Sequence, residues 1–178
     1  LPLCAVEVLP LSKLSELTGF YRRMRWFLDH EHEMAGHISF AGDGDDAKVL
    51  LAIPSKDRLR RVIAYLLDED EFLSPYGIRS MSRAHGEAPF VLSHGGEDYR
   101  VDYMPGESTT GMFGGNSNWR GPIWFPINFL IIEALERYGR FYGEELKVEC
   151  PTGSGNMMTL QQVADELARR LAAILSLI

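Results

Sequence analysis

Cysteine is almost absent from this sequence. Cys4 and Cys150 are the two present in 178 residues. They stand far apart and belong to no CxxC or Cys/His pattern, which excludes a disulfide framework and a thiolate metal site and makes a reducing, cytoplasmic compartment the expectation. Positive charge is also scarce: 18 Lys and Arg face 25 Asp and Glu, for a net charge of −7. That balance excludes the clustered basic footprint that nucleic acids and anionic membrane surfaces require. Arg22, Arg23 and Arg25, and again Arg58, Arg60 and Arg61, fall on helical patterns with acids following, and read as solvated faces. No long apolar run exists either. The longest, Ile123–Ile132, is broken by Pro126 and Asn128 and ended by Glu133, too short to span a bilayer. The first residues carry no signal-peptide core, and no asparagine has the hydroxyl two positions on that N-glycosylation needs.

What is present is an ordinary globular composition, 46% apolar and 24% charged, enough for one domain with a core. From Leu14 to about Glu33, Leu17, Phe20, Met24, Phe27 and Leu28 recur at helical spacing. Gly36 to Gly44 has no periodicity and reads as a loop. Ser55 is an N-cap candidate before Leu59, Val62, Ile63, Leu66 and Leu67, a helix expected to end in the acids at 68–71. Val91–Ser93 and Tyr99–Tyr103 flank a Gly-Gly turn and predict a short β-hairpin. Pro126–Tyr142 is apolar on most faces and is expected to be buried nearly all round. Thr159-Leu-Gln-Gln162 is a capping-box pattern opening a helix through Val163, Leu167, Leu171, Ile174 and Ile178. Pro2–Leu9 is a helix tail or a strand.

The concentration of polarity just before the apolar run is the main functional signal. In Gly114-Gly-Asn-Ser-Asn-Trp-Arg-Gly-Pro-Ile-Trp-Phe-Pro126, glycines allow close backbone approach and Asn and Ser supply short donors and acceptors. Trp119 and Trp124 offer flat apolar faces, and Arg120 a rigid fork of donors. This set suits a polyhydroxylated ring better than a phosphate.

Together with "SPYGIRSMS" at Ser74–Ser82 and "ECPTGSG" at Glu149–Gly155, this stretch resembles the C-terminal catalytic region of glycoside hydrolase family sixty-three, the processing α-glucosidase I enzymes and their bacterial mannosylglycerate-hydrolase-like relatives. The resemblance implies a mainly α fold, part of an (α/α) six-hairpin toroid carrying one small β-hairpin. It implies inverting hydrolysis of a glucosidic bond without a cofactor, on a carbohydrate substrate. It also places Trp119 and Arg120 in the subsite holding the scissile sugar. Asn118, Trp124 and Arg79 join them as substrate-binding candidates, with Arg79 either facing the cleft or bracing its loop through carbonyls. Inversion needs a carboxylic acid and a carboxylate base; Glu149 and Glu107 are the candidates here, although neither matches the family's catalytic positions. Both ends look cut, since the chain opens on the apolar Leu1–Val8 and closes on an uncapped apolar helical pattern. Residues 1–178 are therefore expected to form one partial domain, with a second copy or a complementing chain left open as a partner. The rival reading is a non-catalytic glycan-binding domain derived from such an enzyme.

Other clusters carry less. His30-Glu-His-Glu33 with His37 lacks the four-residue spacing of a helical zinc pair. Asp43-Gly-Asp-Asp46 lacks the ordered oxygen ligands of a calcium loop. Neither supports a metal site.

Overall fold

A computed structural model of the chain describes residues 2–35, 38–106 and 121–177. The apolar stretch near the start of the chain is a 3-10 turn, Pro2–Cys4, followed by a strand. β1 (Val6–Pro10) pairs antiparallel with β3 (Lys48–Ala52), which pairs on its other side with β2 (Ile38–Ala41). The central strand is bounded by Asp46 and Pro54, leaving too few residues for a stable helix. Its Val49 and Leu50, pointing to opposite faces, are both buried, which is why it reads as a continuous apolar run instead of an alternating one. β2 occupies part of the segment expected to be loop.

The helix expected from 14 to 33 is divided into α1 (Leu11–Glu16), α2 (Thr18–His30) and α3 (His32–Ala35). Leu17 (φ −85°, ψ 67°) and Glu31 (φ −115°, ψ 59°) leave the helical region at the two breaks. Neither position is glycine or proline, so composition gave no warning. The next helix, α4 (Lys56–Leu66), starts as its sequence dictates, with Ser55 Oγ accepting the Arg58 amide at 3.4 Å. Two short ribbons follow: β4 (Leu73–Ser74) with β5 (Gly77–Ile78), and β6 (Phe90–His94) with β7 (Glu97–Val101). The second is the hairpin expected around Gly95-Gly96.

The longest helix is α5 (Phe125–Tyr142), with Pro126 in its first turn, where the missing N–H costs nothing. A further ribbon, β8 (Lys147–Glu149) with β9 (Met157–Thr159), leads into α6 (Leu160–Ala172). The capping box is complete: Thr159 Oγ1 accepts the Gln162 amide at 3.3 Å while Gln162 Oε1 accepts the Thr159 amide at 2.8 Å. α5 and α6 run antiparallel. Near the end of α5, Gly139 sits against the backbone of Gln161, where an added Cβ would lie 2.9 Å from the amide nitrogen. Glycine is what lets the two helices approach there.

The core lies between α4, α5 and α6. Leu59, Ile63, Leu135, Tyr138, Val163 and Leu167 are each at most 1% exposed. α5 is not buried all round, however, because Phe125, Phe129 and Leu130 are about half exposed on its open side. The fold class also needs correcting. A mainly helical, toroid-like arrangement with one β-hairpin was expected, whereas the described residues place nine strands in four small antiparallel sheets beside the helices, a mixed architecture. Short apolar runs between Gly and Pro, such as Lys48–Ala52, are ambiguous by periodicity and resolve here as strands.

Candidate active-site cleft

Two of the three motifs meet. The segment after β5 lies along the segment that enters α5, and the two are joined at successive residues. Ile78 donates its amide to Asn128 Oδ1 at 2.7 Å, and its carbonyl accepts from Asn128 Nδ2 at 2.9 Å. Arg79 forms an antiparallel bridge with Ile123. Ser80 donates its amide to the Pro122 carbonyl at 2.8 Å and its hydroxyl to the Gly121 carbonyl at 3.0 Å. The "SPYGIRSMS" and "GPIWFP" stretches, separated by some forty residues, thus form one wall.

That wall borders a cleft of about 320 Å³ lined by Phe72, Arg79, Trp124, Ile127 and Ile131 among others. Its lining is mostly apolar, with one guanidinium and one indole, the composition of a small-molecule site with few polar anchors. Arg79 braces its loop. Its Nη1 donates to the carbonyls of Glu69 at 3.0 Å and of Leu73, and its Nε donates to the Tyr103 hydroxyl at 3.1 Å. The guanidinium carbon stands 5.8 Å from the Tyr103 ring centroid, within cation–π range. Arg79 is also among the residues bordering the cleft. Trp124 is half-buried at the N-cap of α5 and accepts through its carbonyl from Asn128 Nδ2 at 3.0 Å.

The third motif builds a turn instead. Glu149 Oε2 accepts the Gly153 amide at 2.6 Å, and the Asn156 side-chain amide donates to the Cys150 carbonyl at 3.0 Å. Thr152 fixes this turn to the end of α4 by donating its amide to the Leu67 carbonyl and its hydroxyl to the Ala64 carbonyl, at 2.9 and 2.7 Å. Glu149 is not among the residues lining the cleft. The remaining candidates, Asn118, Trp119, Arg120 and Glu107, lie outside the described residues, as does His37. His30 stacks on Trp26 with ring centroids 4.7 Å apart and bonds the Trp26 carbonyl through Nδ1.

Behind the wall, α6 holds the β4–β5 ribbon. Arg170 Nη1 donates to the Ser74 carbonyl at 2.9 Å, while its Nε binds Glu166 at 2.7 Å. Hydrogen bonds from Arg169, then from Arg170, pull the Glu166 carboxyl down to about 2 against the opposing effect of burial. Burial pushes the Cys150 thiol up, with nearby Arg170 opposing.

Among known proteins, residues 48–177 match the family of mannosylglycerate hydrolase MGH1-like glycoside hydrolase domains. This chain belongs to that family. An uncharacterised protein of Saccharomyces cerevisiae is 48% identical over 173 residues, covering 96% of this chain and 16% of its own length. The mannosyl-oligosaccharide glucosidase of the same yeast is 29% identical over 106 residues, covering 59% of this chain and 9% of its own. A probable mannosyl-oligosaccharide glucosidase of Schizosaccharomyces pombe is 35% identical over 78 residues, 44% of this chain and 7% of its own. The resemblance to family sixty-three processing glucosidases is therefore one of distant homology, and this chain spans a sixth or less of these relatives. No solved structure matches the chain. Among the described residues no helix is long and apolar enough to cross a membrane.

Sequence reasoning passed over Asn128, Ser80 and Tyr103. A signal existed for the first: an amide in the midst of Ile127-Asn-Phe-Leu-Ile-Ile132 is out of place unless something buried needs its bonds.

Proposed function

We propose that the wall carrying Arg79 and Trp124 holds the sugar in an inverting, α-glucosidase-like hydrolase, with Asn118, Trp119 and Arg120 completing the subsite. The observation that carries this reading is the bridge between Arg79 and Ile123, which brings an arginine and a tryptophan from distant motifs to one cleft. Two relatives named as mannosyl-oligosaccharide glucosidases support a glucoside as the sugar. In such a reaction an acid protonates the leaving oxygen while a base about 6.5–9.5 Å away activates water through an oxocarbenium-like transition state. Glu149 already caps a turn, so this proposal assigns the chain the holding of the sugar and leaves the carboxyl pair to the rest of the enzyme. A cytoplasmic location, and a second copy or complementing chain as partner, belong to the same proposal.

The engaged state of Glu149 favours one rival, glycan binding without turnover. Calorimetry and turnover assays of the purified chain against glucosylglycerate-type and glucobiose α-glucosides test the sugar-holding role that both readings share. Binding without turnover is the expected result. Turnover would return Glu107 or Glu149 to the catalytic role. Trp119→Ala and Trp124→Ala should each weaken binding about tenfold or more, on the scale of a lost aromatic contact in a desolvated site. Binding unaffected by both would remove the wall from the sugar.

A further inference from the structure

The wall's two segments come from distant parts of the chain and are joined by the Arg79–Ile123 bridge and the Ser80 bonds, to which one buried side chain adds two more. Asn128 is 2% exposed in the first turns of α5. Its side-chain oxygen takes the Ile78 amide, and its nitrogen bonds both the Ile78 and Trp124 carbonyls. The amide therefore behaves toward Ile78 as a neighbouring strand would, with both the donor and the acceptor of one residue satisfied by one side chain. The residue after Ile78 is Arg79, and Trp124 is the residue whose carbonyl Asn128 holds. The same side chain therefore ties the residue before Arg79 to Trp124.

The opposite side of the contact is shaped for it. Gly77 has φ +111°, a conformation that L side chains rarely adopt, and a Cβ there would fall 2.7 Å from Asn128 Oδ1. Nothing larger than glycine leaves room for the amide. Ser74 supports the ribbon from behind, its hydroxyl donating to the Gly77 carbonyl at 2.7 Å and accepting the Tyr76 amide at 3.1 Å.

We propose that Asn128, seated against Gly77, is the positioning residue that fixes Arg79 relative to Trp124 and so determines how tightly the cleft holds its sugar. This rests on the sugar-binding reading above. Asn128 borders the cleft too, but its amide is taken up by Ile78 and Trp124, so in this assignment it acts through Arg79 and Trp124.

The experiment uses the purified chain and three variants. Asn128→Ala removes all three bonds, Asn128→Asp keeps the acceptor but loses both donors, and Gly77→Ala displaces the amide from the other side. Hydrogen exchange of the Ile78 and Ser80 amides reports whether the two segments stay joined. Calorimetry with an α-glucobiose, well below each variant's melting temperature, reports affinity. Exchange at Ile78 and Ser80 should rise about tenfold or more in Asn128→Ala and Gly77→Ala, with amides of α4 and α6 unchanged. Affinity should fall by about tenfold in the same two variants and at least as much in Asn128→Asp, whose buried carboxylate would face the Ile78 and Trp124 carbonyls.

Unchanged exchange at Ile78 and Ser80 would overturn the clamp itself. Faster exchange with unchanged affinity would leave a clamp with no control over the site, and overturns the proposal. A parent chain that binds no glucoside removes the sugar-binding reading and this role with it. The exchange data would still show whether the two segments are joined through Asn128, so that failure is distinguishable from failure of the clamp.

Discussion

Helices α2 and α6 are each thirteen residues long and carry the same kind of apolar periodicity, yet α6 buries five side chains and α2 buries none. α6 lies antiparallel on α5, whose Gly139 admits close backbone approach. α2 lies over the three-stranded sheet with an apolar gap of about 300 Å³ between them, lined by Leu14, Phe20, Met24, Phe27 and Val49 among others. A periodic pattern states which face of a helix is available for burial. Whether that face is filled depends on how near the partner's backbone can come.

The sharpest way to break this comparison is to truncate one apolar side chain from each helix. Leu167→Ala, at a site 1% exposed, should cost about 2–5 kcal/mol in urea unfolding, the usual toll of a buried leucine. Phe20→Ala, at a site 53% exposed, should stay within about 1 kcal/mol. Equal losses would mean that α2 is packed as tightly as α6. A second pair tests the role of glycine. Gly139→Ala must displace the Gln161 backbone and should destabilise by about 1–3 kcal/mol. Gly19→Ala in α2 meets nothing within 4 Å and should be neutral or stabilise by up to about 1 kcal/mol through helix propensity. The third effect is smaller. Thr159→Ala should remove about 1 kcal/mol with its cap, a contribution that α2 lacks because its N-cap Leu17 makes no side-chain bond.

These contrasts also explain what the sequence made legible. The caps at Ser55 and Thr159, the Gly-Gly hairpin, and the start and end of α5 were readable because each is set by residues within a few positions of one another. The breaks at Leu17 and Glu31 and the pairing of β2 with β3 were not, since neither has a local residue that demands it. The same division runs through the candidate site. Arg79 and Trp124 stood out by type and motif. Their meeting could not be read, because it depends on bonds between Ile78–Ser80 and Gly121–Asn128 that close across the fold. Glu149 drew attention through its neighbours, whereas its carboxylate is occupied by Gly153. Sequence type identifies a group's chemistry but not what already holds it.

The smallest expected effect is electrostatic, and it joins the well-packed helix to the cleft. Glu166 falls from 4.5 to about 2 in the folded chain, chiefly through the Arg169 hydrogen bond and then that of Arg170. A carboxyl with a depressed folded pKa binds its proton more weakly folded than unfolded, so unfolding takes up protons in acid. Its contribution is fully present above about pH 4.5 and is lost as the pH falls toward about 2. Partial solvent exposure makes that contribution modest. Melting temperature followed from pH 6 to about 2 should therefore decline less steeply in Glu166→Gln than in the parent across this window. Because Arg170 also donates to the Ser74 carbonyl and pairs with Glu69 at 3.7 Å, protonating Glu166 frees that guanidinium from one of its three anchors. Exchange of the Gly77 and Ile78 amides should then rise in the parent as the pH is lowered through the window, after correction for intrinsic exchange rates, and change less in the variant. Parallel melting curves would show that the arginines are held by the backbone and not by Glu166, and the ribbon bearing Arg79 would then owe nothing to the charge behind it.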